Sequence, residues 1–130
     1  MNADSIVLDA SAVLALIGNE PGAEKLTPRL LAHAVASAVN LAEVQAKLVS
    51  RGWTAEEAWQ DGTSPLREVV AFDEEQARIA GDLLIQTKHL GLSLGDRACL
   101  ALGMVWKLPV YTAEKSWKKL RLISPIHVIR

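Results

Sequence analysis

Apolar and polar positions along this chain fall into blocks whose period changes repeatedly. Ser5-Ile6-Val7-Leu8 is a short apolar run rich in β-branched residues, which suits a buried strand. It ends at Asp9, and Ala10–Ile17 then reads as a helix that Gly18-Asn19 stops. Pro21 is expected to open a second helix near 22–31, at the position where its missing N–H costs least. Residues 33–36 give a weak strand. A helix capped by Ser37 or Asn40 runs through Ser50, with Leu41, Val44, Leu48 and Val49 on one stripe and Gly52 beyond its end. Thr54 with Glu57 three residues on matches a capping box and predicts a short helix over 55–60. Asp61-Gly62-Thr63-Ser64-Pro65 is turn chemistry, an internal loop.

The second half repeats the alternation. Residues 68–72 read as strand. Asp73 caps a long helix over 74–89 that carries Ala77, Ala80, Leu83 and Leu84 inward, and Gly91 ends it. Ser93, or Leu94-Gly95-Asp96, begins a more apolar helix over 96–106. Residues 109–112 form a strand, 113–119 a short helix and 126–129 a last strand. Alternating strands and helices favour an α/β fold with a mainly parallel sheet. Right-handed crossovers then place the strand-to-helix turns along one edge of it. With no internal repeat and no low-complexity segment, the expectation is a single domain over residues 1–130.

Composition narrows the function classes. The chain has 130 residues, half of them apolar, with 14 Lys+Arg against 15 Asp+Glu and a formal net charge of -1. That length buries roughly two-thirds of the unfolded chain's surface in one core, and a charged fraction of 22% excludes a disordered tail. One cysteine, Cys99, excludes a disulfide framework and a Cys-based zinc site, and it reads as a small core residue. The N-terminal stretch carries Asp4 and Asp9 and no basic region, so it makes a poor signal peptide. No uncharged run approaches the 18 or so residues of a spanning helix, so the expected setting is the cytoplasm, without a membrane. His33, His89 and His127 lack metal-ligand spacing. Trp106 and Trp117 read as core, while Trp53 and Trp59 suit either helix-end packing or contact with a partner. A basic excess at Lys107, Lys115, Lys118, Lys119, Arg121 and Arg130 is either a solvated face or a local nucleic-acid patch.

The informative feature is where the acids stand. Asp9 ends the first strand, Glu43 lies in the first turn of the helix after the second, Asp96 opens the apolar helix and Glu114 follows the fourth strand. In a parallel sheet, ligands bind outside the carboxyl ends of the strands, so four carboxylates far apart in sequence can converge. Converging carboxylates repel unless a cation sits among them. An all-oxygen set suits Mg²⁺ or Mn²⁺, and such an ion beside a phosphodiester activates water and neutralises the leaving oxygen. The competing reading of each acid alone is helix capping or a favourable interaction with the helix dipole. Asp9 fits that alternative least well, because an acid beside a buried strand is costly unless paired.

At these same residues the chain resembles a known family. Val7-Leu8-Asp9-Ala10-Ser11-Ala12, Ser37-Ala38-Val39-Asn40-Leu41-Ala42-Glu43-Val44, Leu92-Ser93-Leu94-Gly95-Asp96-Arg97-Ala98-Cys99 and Val110-Tyr111-Thr112-Ala113-Glu114 resemble, in order, the four motif blocks of PIN-domain ribonucleases. The similarity is closest to the VapC-like toxins of bacterial toxin–antitoxin pairs. The resemblance implies a small parallel sheet flanked by helices in an α/β/α sandwich. It also implies a metal-dependent endoribonuclease in which Asp9, Glu43 and Asp96 hold Mg²⁺ or Mn²⁺ and orient the attacking water. Ser11 and Thr112 match hydroxyl positions that support the metal-bound water or the substrate phosphate. Asn40 matches a polar position near the site, with a helix N-cap as the competing role, and Arg97 either contacts RNA phosphate or pairs with an acid. The implied partners are an RNA substrate, a cognate antitoxin protein and a second copy of the chain, as a homodimer or within a toxin–antitoxin hetero-oligomer.

One departure stands out. The family's last block usually reads T-A-D, and here it is Thr112-Ala113-Glu114. The extra methylene either turns a direct metal contact into a water-mediated one or leaves the ion to three acids, so Glu114 is an assisting residue. Two other classes compete. A catalytically silent protein-binding module of the same fold need not keep metal affinity. A receiver-like domain needs an acid pair at the end of the first strand, whereas Asp4 and Asp9 straddle it.

Overall fold

The computed structural model describes residues 4–122 and 124–130. Five strands, β1 (Ile6–Leu8), β2 (Ala34–Ser37), β3 (Glu68–Val70), β4 (Val110–Thr112) and β5 (Ile126–Val128), form one sheet in the order β3-β2-β1-β4-β5. Every pairing is parallel, with Val7 beside Val35 on one side and Val110 on the other. The helices are α1 (Ala10–Ile17), α2 (Pro28–Leu31), α3 (Ala38–Ser50), α4 (Ala55–Thr63), α5 (Glu74–Asp82), α6 (Leu84–Thr87) and α7 (Leu94–Trp106).

β1 takes the centre because it is apolar on both faces. Ile6 and Leu8 pack into one core with Ala12, Val13 and Ala15 of α1, Val44 and Leu48 of α3 and Ala58 of α4. Val7 packs into the other with Cys99, Leu100 and Leu102 of α7, Leu83 and Trp117. Two cores on opposite faces of a parallel sheet make the α/β/α sandwich. β3, at one edge, is exposed at Glu68 and buried only at Val70. At the other edge, Tyr111 and His127 stack with ring centroids 4.5 Å apart, which keeps His127 a strand residue.

Several boundaries move from their expected places. The segment 22–31 is not one helix. Pro28, not Pro21, takes the first helical position, with Thr27 capping through a bond from the Leu30 N–H. A residue before proline is pushed out of the helical region, so Thr27 is extended and the preceding turn, Ala23–Lys25, stays separate. α4 continues to Thr63, into the first part of the expected loop, where Gly62 is buried with Val44 Cγ1 only 3.3 Å from where a Cβ would stand. That bare position lets α4 lie close on α3. The expected helix over 74–89 breaks after Asp82. Its inward stripe is Gln76, Ala80, Leu83 and Thr87, while Ala77 and Leu84 face out. Val49 also leaves its expected stripe and is 45% exposed. α7 begins at Leu94 under the Ser93 cap and ends at Trp106, with Lys107 as its C-cap in the left-handed region at φ 56°.

Successive strands are added on one side of β1 and then, with β4, on the other. The order therefore reverses between β1 and β4. In open parallel sheets the crevice outside the carboxyl ends at such a reversal is the ligand site.

Candidate metal centre

Asp9 leaves β1 at that reversal and caps α1 with extended backbone. Its Oδ1 accepts the Ala12 N–H at 2.8 Å, and its Oδ2 accepts the Thr112 hydroxyl at 2.6 Å. The Ser11 hydroxyl donates to both oxygens, at 2.8 and 2.9 Å. Each hydroxyl is itself oriented by a backbone donor. Ala113 N–H gives to Ser11 Oγ at 2.9 Å, and Glu114 N–H gives to Thr112 Oγ1 at 3.0 Å. The Asp-x-Ser that follows β1 and the Thr that ends β4 are thus one network across the β1–β4 seam.

Burial pushes the Asp9 carboxyl up to about 6 from 3.8, against the hydrogen bonds from Thr112, Ala12 and Ser11 and with help from the charge of Asp96. At 2% exposure, a carboxylate with three donors still titrates high because taking its charge out of water outweighs them.

Glu43 stands on α3. Ser37, not Asn40, caps that helix, accepting from the Val39 N–H. Glu43 is therefore in the second turn rather than the first, too far along for the helix dipole to account for it. Burial raises its carboxyl, the Asn40 hydrogen bond lowers it, and Asp96 raises it further. Asn40 is 1% exposed, and its Nδ2 donates to Glu43 Oε1 at 3.1 Å and to Gly95 O at 3.0 Å. Asp96 lies at the third position of α7 and completes a capping box with Ser93, its Oδ2 accepting the Ser93 N–H at 2.9 Å.

Asp96 is the common element, since its charge acts on both Asp9 and Glu43. Cys99, fully buried one turn along α7, feels Asp9, Asp96 and Glu43 together. Acids from β1–α1, α3 and α7 are thus near enough for the Asp96 charge to act on both other carboxyls. Among the described residues no group of three His, Cys, Asp or Glu side chains is gathered tightly enough to hold an ion as it stands. The Asp96 carboxylate is turned back onto its own helix start. The donor set nevertheless fits a hard cation: all oxygen, with the raised Asp9 and Glu43 carboxyls that a bound divalent ion would return to the charged form.

The other expected residues divide. Ser11 and Thr112 join the cluster through Asp9. Glu114 is exposed, contributes its backbone N–H, and is not the charge that raises Asp9 or Glu43. Arg97 neither pairs with an acid nor lies free for phosphate at Nη1, which donates to Ala80 O at 2.9 Å and fastens α7 to α5. The sole ion pair among the described residues joins Arg130 to Glu20. Gly95 is the residue that sequence reasoning passed over. A Cβ there would overlap the whole Glu43 carboxylate, and its only sequence signal is its place immediately before Asp96.

The comparisons agree with this architecture. A family model described as PIN domain matches residues 6–122. No curated protein matches the chain. Among solved structures, VapBC2 from Rickettsia felis bound to a promoter DNA fragment is 18% identical with a TM-score of 0.70, over 93% of this chain and 96% of that one. DNA-bound VapBC from Salmonella typhimurium is 15% identical with a TM-score of 0.75, over 97% and 98%. VapC20 from Mycobacterium tuberculosis, described as a Sarcin-Ricin loop cleaving toxin, is 17% identical with a TM-score of 0.69, over 88% and 93%. The family match takes in β1, all four motif acids and both hydroxyls, and the chain belongs to the PIN-domain family.

Proposed function

We propose that this protein is a Mg²⁺- or Mn²⁺-dependent endoribonuclease of the VapC toxin kind, held inactive by a cognate antitoxin. The observation that carries the reading is the meeting of Asp9, Glu43 and Asp96 near the β1–β4 reversal, where the charge of Asp96 acts on both other carboxyls and no ion pair among the described residues neutralises any of the three. Asp9, Glu43 and Asp96 would hold the ion. When bound, it would polarise the phosphodiester and supply a nucleophilic water near neutral pH.

The protein's own share is orientation. Ser11 and Thr112 fix the Asp9 carboxylate by donation, and each is fixed in turn by a backbone N–H, so that acid arrives preorganised. Asn40 holds Glu43. Glu114, at the mouth of the cluster, assists without direct contact, and the exposed Lys115, Lys118 and Lys119 offer a path for RNA phosphates. Cleavage selectivity would come from unstacked bases reaching the crevice. The VapBC complexes support an antitoxin partner, and the reading extends to assembly as a homodimer or toxin–antitoxin hetero-oligomer. No helix among the described residues is long and apolar enough to cross a membrane, which suits a cytoplasmic site of action.

The silent-module reading is favoured by the commitment of Asp96, like Asp9, to its own helix cap. Incubating a mixed pool of structured RNAs with the protein separates the two. Metal-dependent cutting that EDTA abolishes and Asp9→Asn removes supports the nuclease. A folded, antitoxin-free protein that binds no Mn²⁺ and cuts nothing supports the module.

A further inference from the structure

Glu43 is a long side chain on an exposed turn of α3, yet it meets α7 at one defined spot. Two features define that spot. Asn40, three residues earlier on the same helix face, spans the gap with one amide nitrogen, donating to Glu43 Oε1 at 3.1 Å and to Gly95 O at 3.0 Å. Both partners are acceptors, so the orientation of the amide follows from the network. On the other side, the carboxylate lies directly on the bare Cα of Gly95, and the nearest atoms an added Cβ would meet are all Glu43's.

Glycine at 95 has no backbone justification. Its φ is not among the positive values, which belong to Gly22, Gly52 and Gly91, and alanine is the better helix former in α7. What the missing side chain secures is room for a carboxylate. We propose that Asn40 and Gly95 are positioning residues that seat Glu43 beside Asp96, setting the spacing between the α3 and α7 donors of the metal centre. They link two elements 55 residues apart. The inference rests on the metal reading of the same carboxylates.

A merely structural role and a positioning role separate in Gly95→Ala. The substitution improves helix propensity, so thermal stability stays equal or rises, while the displaced Glu43 weakens Mn²⁺ binding by calorimetry about 10-fold or more, the usual effect of losing an outer support of a metal ligand. On RNA, kcat falls and KM holds. Asn40→Ala gives the same loss of Mn²⁺ affinity, and in a Glu43→Gln background it adds little, because it acts through that side chain. Exchange of the Asn40 side-chain amide protons, read by NMR in metal-free protein, reports the seat directly. It is slow in wild type and accelerated in Glu43→Ala, which removes the acceptor.

Wild type binding Mn²⁺ while both variants bind equally well overturns the positioning role and leaves the metal reading standing. Wild type binding no Mn²⁺ with the Asn40 amide still protected overturns both, since the seat then only joins two helices. Should Asn40→Ala fail to fold, Gly95→Ala decides alone.

Discussion

The two sides of the carboxylate cluster are built on different principles. Asp9 is embedded: it is 2% exposed at the end of the central strand, and three donors from β1–α1 and β4 hold it in a lattice that is mostly core. Glu43 is perched: exposed as a residue, its carboxylate partly shielded against α7, and located by one amide and one missing side chain. Asp96 sits between them, half committed to its helix cap. A short acid in the core tolerates no movement and bears a high cost of burial. A long acid at the rim is only partly buried but must be told where to point. A metal site assembled from both kinds gains one fixed anchor and one adjustable arm.

The largest effect expected is on the anchor. Asp9→Asn keeps the shape and removes the charge, so RNA cleavage should drop by about 100-fold or more, the scale of losing a metal ligand's electrostatic contribution. The same variant should be no less stable than wild type in EDTA, because a strained charge has gone. A variant that loses stability along with activity would mean the Asp9 charge supports the fold.

Next comes pH. The folded carboxyl of Asp9 titrates at about 6 against 3.8, so between those values the folded state binds more protons than the unfolded one. Stability in EDTA should therefore fall as pH rises through that window, by about 3 kcal/mol at most, and stay flat above it. Urea titrations of wild type minus Asp9→Asn isolate this slope, and its absence would show that Asp9 is solvated. Above pH 6, Mn²⁺ should raise the wild-type melting temperature and leave Asp9→Asn unmoved.

Thr112→Val probes the lattice rather than the charge. It deletes the 2.6 Å donation to Asp9 and strands the Glu114 N–H, so a loss of about 1–2 kcal/mol in urea unfolding is expected. Glu114→Gln should matter least. Its side chain is exposed and outside the coupled acids, so cleavage should change by well under the ~10-fold typical of an outer support to a metal. A larger loss would put Glu114 in direct service of the site.

Much of this was legible before any coordinates. The capping box expected at Thr54–Glu57 forms with each half present, and Ser93, one of the two expected starts, caps α7. Asp73 caps α5, and Gly91 takes the left-handed turn at φ 69°. Such signals act within four residues and need no partner from elsewhere. The misreadings share a different cause. Ala77 and Leu84 looked inward by composition, but Gln76 takes the buried position, its Nε2 donating to Ala71 O. An amide that finds a partner can displace an alanine from a core stripe, and no local pattern reveals that partner.

By itself, the sequence determined that strands and helices alternate, where most helices begin, and that an acid stands at or near each turn that could face a ligand. It could not say that β4 pairs with β1, which alone brings Thr112 to Asp9 across 103 residues. Nor could it show that Asn40 serves Glu43 and Gly95 instead of capping α3. Those outcomes depend on β1 being apolar on both faces and so taking the centre of the sheet, with neighbours on each side. Burial of surface is settled by the whole chain at once, and the geometry of the acids follows from it.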